Sequence, residues 1–92
     1  MKTIWKFPLA AGDEISLEMP GGSTVLDVQE QGGIPCVWAL VDSTAPLTKR
    51  HFCVRGTGHN CDTLPANAKY VGSFQLLRGA LVFHLFDAGE TP

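Results

Sequence analysis

The chain has 92 residues, 45% of them apolar and 17% charged, with seven Lys and Arg against nine Asp and Glu for a net charge of −2. That is one compact domain's worth of chain, too apolar and too weakly charged for a disordered segment. The slight acidity argues against a nucleic-acid polymer as partner, since such binders neutralise many phosphates. No apolar run approaches the ~18 residues of a membrane span, and no signal-peptide core opens the chain, so neither a membrane partner nor secretion is expected.

Strand-like spacing dominates from the start. KTIWKFPL is rich in β-branched and aromatic residues and is closed by Pro8. In EISLEM, Ile15, Leu17 and Met19 fall on one side and Glu14, Ser16 and Glu18 on the other, the signature of a half-buried strand. Pro20–Gly21–Gly22–Ser23 reads as a turn into TVLDVQEQ. Gly32–Gly33 then predicts a tight hairpin into IPCVWALVD. This strand is apolar on both faces and is expected to be central, or buried at a subunit contact.

Ser43 to Lys49 reads as a loop, and RHFCVR as a strand ended by Gly56. Gly56 to Asn67 is the longest irregular segment, of the length at which loops in small domains are often functional. AKYVGSFQLL and GALVFHLF predict a closing hairpin across Arg78–Gly79. No helical period is sustained, and no repeat or linker divides the chain, so residues 1–92 read as a single domain. About seven short strands predict an all-β fold, a small antiparallel sandwich or barrel. IPCVWALVD and ALVFHLF together carry more apolar surface than one inner layer needs, which predicts a homo-oligomer.

Cys36, Cys53 and Cys61 are odd in number, which favours reduced thiols and a cytoplasmic setting over a disulfide scaffold. His51, Cys53, His59 and Cys61 are all zinc-ligand types. Their one-residue gaps along a strand are poor metal spacing, so neither a metal nor another cofactor is expected.

Arg55, Thr57, Gly58 and His59 form the most suggestive run. Glycines let a ligand approach backbone N–H groups, and Arg, Thr and His add a cation, a hydroxyl and a switchable donor. Trp5 and Trp38 offer planes on which a base can stack, and His84 offers an imidazole to orient it. For catalysis the sequence gives little. It holds no nucleophile elbow, and His59 with Asp62 or His84 with Asp87 becomes a general base only if a nucleophile lies nearby.

KTIWKFPL, PCVWALVD, the GTGH loop and GSFQLLRGALVFHLF together resemble, over nearly the whole chain, a family of short uncharacterised proteins found mostly in phages and prophages. The resemblance matches Gly56, Thr57, Gly58, His59, Trp38 and His84 to recurring positions, while Cys53 and Cys61 have no counterpart. It implies a phage-associated setting in a bacterial cytosol and, by analogy with small anti-defence proteins, a sponge for a nucleotide-derived immune signal. The expected partner is then a small anionic nucleotide-like ligand. The alternatives are a protein–protein interaction module and a small phosphate-ester hydrolase.

Overall fold

The computed structural model describes residues 1–91. Seven strands run β1 (Lys2–Pro8), β2 (Glu14–Pro20), β3 (Thr24–Gln31), β4 (Ile34–Asp42), β5 (Leu47–Gly56), β6 (Lys69–Leu76) and β7 (Leu81–Thr91). They form two antiparallel sheets, three-stranded β1-β4-β3 and four-stranded β2-β5-β7-β6. The expected small all-β sandwich is what the chain adopts. No helix among the described residues is long and apolar enough to cross a membrane.

Turn chemistry places several strand ends. Gly32 and Gly33 have φ of +60° and +85°, the pair of positive angles that a two-residue hairpin between Gln31 and Ile34 requires. Two strands are longer than their local composition predicts. β5 begins at Leu47, inside the expected loop, because Leu47–Lys49 pair with Glu18–Pro20. β7 continues past Phe86 through DAGET, where Arg50 pairs with Glu90 and Lys49 with Thr91. In both places the partner strand supplies the hydrogen bonds that a turn-like composition lacks.

The core lies between the sheets. Met19, Val28, Val37, Phe52 and Leu85 are essentially inaccessible, and Ile15, Val54, Phe74 and Leu9 pack around them. Residues directly opposite in an antiparallel ladder share a face. Val37, Ala39 and Val41 therefore form the inner face of β4, and Cys36, Trp38 and Leu40 its outer face. On the other sheet Val54 and Leu85 point inward, while Arg55 and His84 share the outer face. Both strands predicted to be apolar on both sides are central in their sheets.

Arg50 ties the two sheets together. Its Nε and Nη2 donate to the Asp87 carboxylate at 2.9 and 2.7 Å, and its Nη1 donates to the Ser23 carbonyl ahead of β3 at 2.8 Å. Both side chains of this bidentate pair are largely buried. Burial pushes the Asp87 carboxyl up. Hydrogen bonds from Arg50 and the Gly89 N–H, with the charges of Arg50 and Lys69, more than offset this and hold it below the usual carboxylate range.

Candidate functional site

Five of the seven residues singled out by sequence lie at one end of the four-stranded sheet. Arg55 and His84 are cross-strand neighbours, and Gly56 leads from β5 straight into the loop. A tight turn follows, with the His59 N–H donating to the Gly56 carbonyl at 3.0 Å and Gly58 at φ +83°. This turn folds the His59 imidazole onto Gly56. A Cβ at position 56 would sit 2.7 Å from two ring atoms, so a larger residue must push the exposed imidazole off this seat.

Arg55 is 8% exposed although it stands on the outer face of the sheet. Its Nη1 donates to the carbonyls of Asp13 (3.0 Å) and Val54 (2.9 Å), and its Nη2 donates to the Thr63 hydroxyl at 3.1 Å. The guanidinium thus pins the loop to the start of β2. All three acceptors are neutral, and among the described residues Arg55 forms no ion pair. A buried charge without a counter-charge is costly. Arg55 faces a basin of about 530 Å³ shared with Asp13, Glu14, His59, Asn60 and Thr63.

His84 is bound on both ring nitrogens. The Tyr70 hydroxyl lies 2.8 Å from Nδ1 and the Thr57 hydroxyl 2.7 Å from Nε2. Thr57 Oγ1 also lies 3.4 Å from the Val82 carbonyl. Either ring tautomer satisfies both contacts: with Nε2–H donating to Thr57 the Tyr70 hydroxyl donates to Nδ1, and with Nδ1–H donating to Tyr70 the Thr57 hydroxyl donates to Nε2. The imidazole anchors the loop to β6 and β7 through both ring nitrogens. Asp87 is engaged by Arg50, so a general-base pair of His84 with Asp87 does not form.

The two tryptophans lie on the other sheet, and on opposite faces of it. Trp5 pairs with Ala39 on the core side, near the sheet edge, 6.3 Å from Phe7. Trp38 pairs with Lys6 on the outer side. Within one chain neither joins Arg55, Thr57, Gly58, His59 and His84. Spacing along a strand cannot show this, because it gives parity within that strand and not which sheet the strand enters.

Tyr70 and Thr63 are functional neighbours that the sequence reading missed. Tyr70 is the chain's one tyrosine, on β6 in register with Phe86, and it stacks edge-on against that ring at 5.3 Å. Nothing local marks it as a partner of His84. Cys53, beside Arg55, is buried, and burial pushes its thiol up. The charge of Arg55 partly opposes the rise and Glu14 adds to it. His51 is held between the hydroxyls of Ser16 and Thr91, each at 2.9 Å. Among the described residues no three His, Cys, Asp or Glu side chains gather as metal ligands.

The fold and site define a small all-β sandwich with a polar basin at one sheet end. A family model for a domain of unknown function, DUF7352, matches residues 1–92, and the chain belongs to that family. Comparison with curated proteins and with solved structures gives no match.

Proposed function

We propose that the protein is a non-catalytic binding protein for a small anionic, nucleotide-like ligand, held in the basin over Arg55. The observation that carries this reading is the buried guanidinium, which has neutral partners only and faces an open basin. An anion there would form with the guanidinium the direct ion pair that Asp13 and Glu14, on the same basin, do not make with it. Thr63 and Asn60 add short polar groups, and His59 a ring donor. The carboxylates of Asp13 and Glu14 on the same basin suit hydroxyl donors such as those of a ribose, and disfavour a bare polyanion.

In the phage setting implied by the sequence resemblance, such a protein would act in the bacterial cytosol as a sponge that holds an immune signal without cleaving it. Calorimetric titration with ADP-ribose, AMP and cyclic dinucleotides tests the reading. Micromolar binding of at least one is expected, with its loss in Arg55→Gln and recovery of the ligand unchanged. No heat with any of them overturns it.

A second reading, self-association or docking on a protein, rests on the outer face of the three-stranded sheet. Ile4 is 56% exposed there, beside Leu40 and Trp38. Light scattering at several concentrations tests it, and a strict monomer would contradict it.

A further inference from the structure

The sandwich does not close at the end where β2 begins and the β6–β7 hairpin turns. A cavity of about 180 Å³ opens there between the sheets, walled by Leu9, Ile15, Val54, Phe74, Leu76 and Phe83. It lies on the core side of the sheet whose outer side carries Arg55, because Val54 and Arg55 are consecutive residues of one strand. Phe74 and Phe83 are cross-strand partners with stacked rings 5.6 Å apart. The rim is the segment Ala10–Asp13, which leads from the buried Leu9 into β2, and Asp13 is its one charged residue.

Such walls give water few partners, so the space favours an apolar guest. An enclosed engineered cavity of about 150 Å³ with Leu, Ile and Phe walls takes benzene in another protein, which sets the scale of a guest. The present volume therefore suits a single aromatic ring or a small fused one, and is well short of the roughly 300 Å³ at which drug-sized sites begin. Two adjoining phenyl rings add the offset and edge contacts that aromatic pairs prefer over aliphatic ones. Asp13 at the mouth selects the polar end of the guest, accepting a hydrogen bond from an N–H or O–H and repelling a carboxylate.

We infer that this cavity is a binding site for a small uncharged aromatic molecule bearing one hydrogen-bond donor, of the indole or phenol class. It adjoins the Arg55 basin through Asp13, which lines both, but an uncharged probe gains nothing from that guanidinium.

Titration of the isotopically labelled protein with indole, followed by amide chemical shifts, provides the test. Saturable shifts are expected at Leu9, Val54, Phe74 and Phe83, with a dissociation constant on the order of a millimolar or tighter for so small a ligand. Leu76→Trp, which fills the cavity from its half-buried rim, should abolish them. Benzoate should bind about tenfold more weakly than indole, and Asp13→Asn should narrow that gap. The inference is overturned if the wild-type protein shows no saturable shift at those amides up to about 10 mM indole. Shifts confined to the outer sheet faces, or equal binding of benzoate and indole, overturn it as well.

Discussion

β4 and β7 occupy equivalent places, each central in its sheet and apolar on both faces, yet their outer faces end in different surroundings. On β7, His84 is tied to Tyr70 and Thr57, and Phe86 is covered by the Tyr70 ring. Beside them the loop after Gly56 is drawn down by Arg55 onto Thr63. On β4, Cys36 is buried and Trp38 half-buried, while Leu40 remains 37% exposed beside Ile4 at 56%. Surplus apolar surface on a central strand therefore does not by itself mark an interface. On the four-stranded sheet Tyr70 and the Thr57 hydroxyl engage it, and on the three-stranded sheet the exposed part is confined to Leu40 and its neighbour Ile4.

The largest effect is expected where the two sheets are joined. Asp87→Asn leaves the largely buried Arg50 with only Glu90, at 3.9 Å, as counter-charge and should cost about 2–4 kcal/mol in urea unfolding, somewhat under a fully buried pair. Because the folded carboxyl is held below its ordinary value, its contribution is complete above the unfolded aspartate value of about 3.9. It is lost as pH falls through the lower folded value, so wild type and variant should converge in acid. Parallel unfolding curves at neutral and acid pH check this, and a stability difference that does not shrink with acid would contradict it.

Gly56→Ala comes next. Its Cβ would strike the exposed His59 ring and force it off Gly56, at a cost of about 1 kcal/mol. Hydrogen exchange should rise in residues 57–63 and stay unchanged on β4. Tyr70→Phe removes one donor from His84 and should cost about 0.5–1.5 kcal/mol. The smallest effect belongs to the bare face, where Ile4→Thr with Leu40→Thr should change monomer stability by about 0.5 kcal/mol or less. A much larger loss there, at constant oligomeric state, would show that this face is covered after all.

Most strands were legible because their signals are local. Gly32–Gly33 dictates its hairpin, and the alternation in EISLEM places Ile15 and Met19 in the core. The ends of β5 and β7 were not legible, because the hydrogen bonds that hold Leu47 and DAGET in strands come from residues distant in sequence. The cluster of Arg55, Thr57 and His59 could be read, since one loop carries it. Its link to Tyr70, and its separation from Trp5 and Trp38, depend on strand order and register, which no local pattern encodes.

The comparison between the two outer faces is tested most directly by mapping amide shifts during a titration with ADP-ribose. Saturable shifts in residues 55–63 and at His84, with none at Trp38 or Leu40, are the predicted result. Shifts centred on β4, or none on either face, would contradict the account.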